Sequence, residues 1–349
     1  MVALLASRVI STGVLALSAS YRHQSLFGGS GDLVLWDSQW YLRAASQGWA
    51  HHVDVTHFNT TGFFPGFPLA VRGVHAVTGL DLVGSGIATS IVFEVGAVVA
   101  VSALAHQILD RRSAERGVVL FALFPGAYVF TETYSEPLFV LAAALCLLAL
   151  HRRWWVAAGV AAAVAGATRP TGVILGVCGA LIAYREIRLR RDWSSLLAPL
   201  LSPLGLVAFL AFLWARTGSP LTYFRTQDIA WQQQPTLAAI PDQIGNALRG
   251  TPPRDVAYVV LLAAGIAGVV LLVRLRPRVP VEWIIYSVAS IVVTQASPHV
   301  GLRPRFLLLT FPIIIGLGAR LKGRGMATAV VASVLGLSAF AWTLPHYVP

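Results

Sequence analysis

Asp37 lies between two tryptophans in the segment LWDSQWYL, residues 35–42. A carboxylate beside an apolar surface loses part of its hydration, which raises its basicity and suits it to take a proton from an attacking hydroxyl. The plainer reading is that Trp36 and Trp40 anchor the chain at a membrane surface and that Asp37 is a helix cap or a solvated charge. Farther along, Glu132 and Glu136 occur in FPGAYVFTETYSEPLF from Phe124, and Arg169 occurs in ATRPTG from Ala167. Ionisable groups at the ends of apolar helices are costly to keep there, which makes them functional candidates. Arg303 and Arg305 open RPRFLLLTFP. A guanidinium group offers phosphate a planar two-point fork, so Arg169, Arg303 and Arg305 are candidates for holding one. Arg169 has an equally good structural reading, as the partner of a carboxylate such as Glu136 that fastens two helices. His57 and His299 lack the HxxxH or HxxE spacing of metal ligands, and no divalent metal is indicated. Cys146 and Cys178 sit inside apolar runs without CxxC spacing and read as packing residues. Asn59-Thr60-Thr61 is a glycosylation sequon, a pattern of low specificity.

The elements that must position these residues follow from hydropathy and charge. The chain is 56% hydrophobic and 12% charged, with a mean hydropathy of +0.70. That is more apolar surface than a soluble domain of this length buries, so lipid must cover much of it. Runs of roughly 20 apolar residues, the length of a membrane crossing, recur from residue 2 to residue 343. The net charge of +11 is no nucleic-acid footprint, because the basic residues sit in short clusters between those runs. The clusters are Arg111, Arg112 and Arg116; Arg152 and Arg153; Arg185 to Arg191; Arg274 to Arg278; and Arg320 to Arg324. Basic loops stay in the cytoplasm, so an even number of crossings must separate each cluster from the next. This parity splits residues 154–184 into two short helices meeting outside at Arg169-Pro170. It also makes residues 66–79 an amphipathic helix in the outer interface.

The expectation is an all-α polytopic membrane protein forming one domain, residues 1–349. About eleven helices would lie near 2–20, 81–109, 117–133, 137–151, 154–168, 171–184, 195–215, 255–273, 281–297, 304–320 and 325–343. No basic cluster precedes the first apolar run, which therefore reads as an uncleaved helix and not a signal peptide. Several helices near 15 residues would span only about 22 Å, so they must extend further or sit in thinned bilayer. Two long extracytoplasmic loops follow, 21–80 and 217–254, and nearly all the candidate residues fall on that side.

Taken in order, WDSQWYL, FFPGFPLAVR from Phe63, FPGAYVFTETYSEPLF, ATRPTGVIL, FRTQDIAW from Phe224 and RPRFLLLTFP resemble the PIG-V-type mannosyltransferases. The resemblance runs over about residues 35–315. It implies the GT-C glycosyltransferase fold, in which a large first external loop, here with interfacial helices, carries an acidic residue close to a polyprenyl-phosphate-sugar donor. Asp37 matches the Trp-Asp motif of that loop, Glu136 the Tyr-Ser-Glu motif, Arg169 the Arg-Pro-Thr-Gly motif, and Gln227 with Trp231 the Gln-x-x-x-Trp motif. The chain is shorter than typical eukaryotic members. It is rich in Ala, Val and Arg with Lys322 its only lysine, which resembles a bacterial coding sequence and points to a bacterial plasma membrane.

The reaction so implied moves mannose from a polyprenyl-phosphate-mannose donor to an extracytoplasmic hydroxyl, on a glycolipid, glycan or protein, with inversion. Asp37 would be the base, with Glu136 as the other catalytic candidate. Arg169, Arg303, Arg305, Gln227, Trp231, Trp36, Trp40 and His57 would bind the donor or its phosphate. No nucleotide-binding glycine loop is present, as suits a lipid donor reached from the membrane. The competing functions are a transferase of another polyprenyl-linked sugar, a lipid or solute transporter, and a membrane scaffold. A transporter would carry ionisable residues near the bilayer midplane and paired broken helices. Asp32 and Asp54, in the same loop as Asp37, match no motif and are expected to tolerate replacement by asparagine.

Overall fold

Helices stand at all eleven expected places, because an apolar run can bury its backbone polar groups in lipid only by pairing them within a helix. The computed structural model describes residues 1–349 except 28–30, 52, 234–235, 250–252, 297–302 and 347–349, so His299 lies outside the described residues. The chain opens with α1 (Val2–Tyr21), and the first long loop contains α2 (Asp37–Gln47) and α3 (Gly66–Thr78). There follow α4 (Leu82–Ile108), α5 (Arg111–Ala122), α6 (Glu136–His151), α7 (Trp155–Thr168), α8 (Val173–Arg190), α9 (Leu197–Leu201) and α10 (Leu204–Thr217). The second long loop holds α11 (Thr222–Ile229) and α12 (Ala239–Leu248). The chain ends with α13 (Pro253–Arg274), α14 (Val281–Gln295), α15 (Pro304–Leu309), α16 (Phe311–Arg320) and α17 (Gly323–Thr343). No strand occurs among the described residues.

Three expected spans are interrupted, each beside a proline, and that over 195–215 only pauses at Ser202 and Pro203 between α9 and α10. The helix expected over 117–133 is α5 followed, at a bend of 63°, by a 3-10 turn over Pro125–Thr131. Pro125 has no N–H to continue the helical ladder. The helix expected over 304–320 stops at Leu309 and restarts at Phe311. Pro312 removes the amide that would donate to the Leu308 carbonyl, and beside the break the Tyr286 hydroxyl donates to the Leu309 carbonyl at 2.9 Å. Of the short helices, α8 extends to Arg190, whereas α6 has 16 residues and α7 has 14, roughly 24 Å and 21 Å at 1.5 Å per residue. Among the described residues, four helical stretches are long and apolar enough to cross a membrane, namely α1, α4, Trp193–Thr217 (which includes α9 and α10) and α17, or five if the bent pair is one span.

α6 lies at the centre. It packs against α4, α7, α8 and α15 and buries 13 of its 16 residues, as an all-apolar helix in a bundle must. The basic clusters converge at its C-terminal end. Arg152 donates to Gln107, Arg153 pairs with Glu186 at 3.2 Å, Arg116 donates to the Gly318 carbonyl, and Glu282 sits near His151, Arg185 and Arg276. Within the bundle Arg8 pairs with the buried Glu94 at 3.0 Å. Arg8 also donates to the Ala127 carbonyl, so the pair bolts α1 and α4 to the 3-10 turn.

Candidate active site

The candidate residues gather at the opposite end of α6. Asp37 is the first residue of α2 and Glu136 the first of α6. The positive end of a helix dipole favours a carboxylate at both places. Pro137 follows Glu136 at a position where a missing N–H costs nothing. Arg169 leaves α7 in extended backbone, φ −153° and ψ 146°, as the residue before Pro170 must. Arg303 precedes Pro304 in the same way, which brings Arg305 into the first turn of α15. The 3-10 turn lies directly against that segment. A Cβ on Gly126 would come within 2.1 Å of the Pro304 carbonyl oxygen, so only glycine permits the approach.

Four of the residues meet in one charged cluster. Arg305 Nη1 lies 2.8 Å from Asp37 Oδ2, Arg169 Nη1 lies 2.7 Å from Glu136 Oε1, and Arg305 Nη1 lies 3.7 Å from that same Glu136 oxygen. Phe306 presents its ring to both guanidinium groups, at 4.6 Å from Arg305 and 5.5 Å from Arg169, and Tyr134 lies 5.5 Å from Arg305. Arg303 stands beside them, its guanidinium held down to about 10 by burial and by the like charge of Arg305. It therefore stays cationic at neutral pH. Three guanidinium groups and two carboxylates thus gather at one end of α6. The Glu136 side chain is fully buried, whereas Asp37 and Arg169 keep 19% and 17% of their exposure, so the cluster opens to solvent at those two.

Tyr41, Ser135, Tyr134 and Phe306 complete the cluster, and none was singled out from sequence. The Tyr41 hydroxyl lies 2.7 Å from Ser135 Oγ, which accepts from Arg169 Nη1 at 3.3 Å. Burial, opposed by Arg169, raises the Tyr41 phenol above its ordinary range and keeps it neutral. Tyr41 was findable: it stands four residues after Asp37 on one helix face, just as Ser135 directly precedes Glu136. Tyr134 and Phe306 carried no signal beyond their place in the motifs.

The other candidates are distributed differently. Trp40, Phe63 and Trp231 pack at centroid distances of 5.5–6.2 Å, with the half-exposed Phe58 at 4.5 Å from Trp231. Gln227 donates to the Gly62 carbonyl at 2.8 Å and ties α11 to the first loop. This aromatic group joins the charged cluster through Phe63 and Tyr41, 5.0 Å apart. Trp36 directs its indole N–H to the Leu344 carbonyl. His57 stands apart on a surface turn, 80% exposed and 2.8 Å from Asp54. Hydrogen bonds from Thr56, and then from His57, hold the exposed Asp54 down at about 2. Glu132 is fully buried outside the cluster, with Asp32 as its charged neighbour. Asp32 is no neutral control, because it is buried in an ion pair with Arg22. Among the described residues, no three His, Cys, Asp or Glu side chains form a metal-ligating group.

A family model described as mannosyltransferase (PIG-V) matches residues 6–198. No curated protein matches the chain. Solved structures do. The apo oligosaccharyltransferase of Archaeoglobus fulgidus aligns with a TM-score of 0.59 and 13% identity, over 99% of this chain and 56% of that one. The oligosaccharyltransferase AglB of the same organism, with an inhibitory peptide and a dolichol-phosphate, aligns with 0.58 and 12%, over 98% and 55%. ArnT from Cupriavidus metallidurans, bound to undecaprenyl phosphate, aligns with 0.56 and 16%, over 94% and 62%. At these identities the likeness concerns the fold alone, and the chain spans little more than half the length of those proteins.

Proposed function

Because the chain belongs to the PIG-V mannosyltransferase family and has the GT-C glycosyltransferase fold, we propose that it transfers mannose from a polyprenyl-phosphate-mannose donor to an acceptor hydroxyl on the extracytoplasmic side. The observation that carries this reading is the cluster in which Asp37 and Glu136 meet Arg169, Arg303 and Arg305 at one end of α6, with the basic clusters at the other. Basic loops mark the cytoplasmic side, so the cluster belongs to the opposite face.

Arg305 engages Asp37 Oδ2 and so orients the carboxylate. In the proposed mechanism Asp37 Oδ1 takes the acceptor proton as the acceptor oxygen bonds to the anomeric carbon, and the bond from that carbon to the donor phosphate oxygen breaks. The sugar inverts. The departing polyprenyl phosphate keeps the electron pair, and Arg169, Arg303 and Arg305 stabilise its charge. Trp40, Trp231 and Gln227, in the aromatic group that joins the cluster through Phe63 and Tyr41, are assigned to sugar contact. His57, on its own turn, has no step in the scheme.

The test is transfer from a labelled short-chain polyprenyl-phosphate-mannose supplied to one side of sealed vesicles. Label should reach the acceptor in right-side-out vesicles, and in inverted ones only after permeabilisation. Equal transfer from sealed inverted vesicles overturns the assignment of the face; no transfer from this donor under any condition, with transfer from another polyprenyl-linked sugar, overturns the choice of mannose.

Arg169 separates phosphate binding from fastening. Arg169→Lys keeps the charge and loses the planar fork. The donor KM should rise by about tenfold or more, since a charge-assisted hydrogen bond is worth roughly 1.5–3 kcal/mol. Melting in detergent should change little. An unstable variant whose folded fraction binds donor normally would mean that Arg169 serves Glu136 alone.

A further inference from the structure

Trp36 directly precedes Asp37 and has φ 54° and ψ −117°. This left-handed backbone suits glycine and is an outlier for a bulky side chain. It persists only where the surroundings over-determine it, and here they hold Trp36 from three directions. Upstream, the 3-10 turn Asp32–Val34 is pinned by the Arg22–Asp32 ion pair and by amides of Asp32 and Leu33 donating to the Ser25 and Leu26 carbonyls at 3.0 and 3.2 Å. Downstream, α2 begins at once. Sideways, the indole Nε1–H donates to the carbonyl of Leu344 at 2.8 Å, across 308 residues of sequence.

Leu344 is buried just after α17, and α17 is itself anchored at the site. Phe340 stacks on Tyr128 at 6.1 Å, Trp342 meets Tyr21 at 6.1 Å, and Gly336 abuts Pro125. Pro125 and Tyr128 belong to the 3-10 turn whose Gly126 lies against Pro304, next to Arg305. The last helix thus reaches both halves of the Asp37–Arg305 pair: Asp37 through Trp36, and Arg305 through the turn. It also lies beyond the residues matched by the family model.

We propose that Trp36 is a positioning residue, and that α17, acting through the Leu344 carbonyl and the strained backbone of Trp36, sets the carboxylate of Asp37 on Arg305. This rests on Asp37 being the base. Trp36 then acts on the proton-transfer step and not on donor binding, the role suggested by its place in the motif.

The test compares Trp36→Phe, Asp37→Asn and the double variant in kcat, donor KM and melting. Phenylalanine keeps an aromatic ring and loses the N–H donor. Trp36→Phe should lose about tenfold to a hundredfold in kcat, the usual cost of misplacing a catalytic group by about 1 Å, with donor KM within about twofold. In the Asp37→Asn background the same change should cost nothing further, because residues acting as one unit are not additive. An equal loss in both backgrounds, or a raised donor KM with kcat intact, overturns the proposal. Failure of the base reading would show in Asp37→Asn alone, as a retained rate. Failure of the present inference would show as a retained rate in Trp36→Phe while Asp37→Asn loses its own. Should Trp36→Phe not fold, Gly336→Leu tests the other end of the device, since even a Cβ there would stand 2.9 Å from Pro125 Cγ. It should lower kcat at unchanged donor KM in the Asp37 background and have no further effect in Asp37→Asn; equal effects in both sink the proposal.

Discussion

Asp37→Asn is expected to lower the initial rate of mannose transfer by about a hundredfold to ten-thousandfold, the usual worth of a positioned base, while the protein stays folded. At 1.36 kcal/mol per decade this is roughly 3 to 5 kcal/mol of barrier. Folding should survive because asparagine has nearly the same shape and its side-chain oxygen can still accept from Arg305. Arg305 is also not left alone, since Glu136 lies 3.7 Å away. Asp54→Asn is the control: Asp54 is exposed on the turn with His57 and should be dispensable. Asp32 cannot serve, because its replacement leaves Arg22 without its buried partner. The measurement is the initial rate at saturating donor, with melting alongside. An Asp37→Asn variant that keeps more than about a tenth of the rate, less than the smallest loss expected of a base, removes Asp37 from that role.

The second large effect is on stability. Glu136→Gln removes the carboxylate on which Arg169 closes at 2.7 Å, from a side chain with no exposure at all. Breaking one partner of a buried pair leaves an uncompensated charge, at a cost of about 3–5 kcal/mol. The lower end is expected here, because Arg169 keeps 17% of its exposure and can reach water. Melting in detergent should fall clearly. Glu136→Gln/Arg169→Met should recover much of the loss, since replacing both members of a buried pair is often close to neutral. If instead Glu136→Gln melts like the wild type and loses rate as Asp37→Asn does, Glu136 takes part in the chemistry and is more than the post that holds Arg169.

Taken together, these expectations divide the charged cluster by function: Asp37 for the proton, Arg303 and Arg305 for the phosphate, Glu136 for the placement of Arg169. Exposure argues for the division. Asp37 and Arg169 open to solvent, while Glu136 is sealed behind them. A cluster holding three guanidinium groups, with Arg303 lowered only to about 10 and so cationic at neutral pH, suits a ligand that arrives and leaves as an anion.

By itself the sequence determined where the helices lie and which residues collect at one end of them. Lipid imposes this, since an apolar run must be helical and basic loops must stay on one side. Charge parity therefore put Asp37, Glu136, Arg169, Gln227 and Trp231 at the same boundary without any contact being known. The order of the motifs pointed to the family, because six of them in sequence are specific together though each alone is weak. Tertiary structure alone decided what touches what. Asp37 and Arg305 are 268 residues apart, and Trp36 and Leu344 are 308 apart. No local periodicity carries such pairings, because they depend on how helices cross and how close their backbones come. The breaks at Pro125 and Thr310 were hidden for the complementary reason. Hydropathy runs straight through both; the prolines permit a break, and the packing of Gly126 against Pro304 and the bond from Tyr286 to Leu309 hold the broken backbone in place.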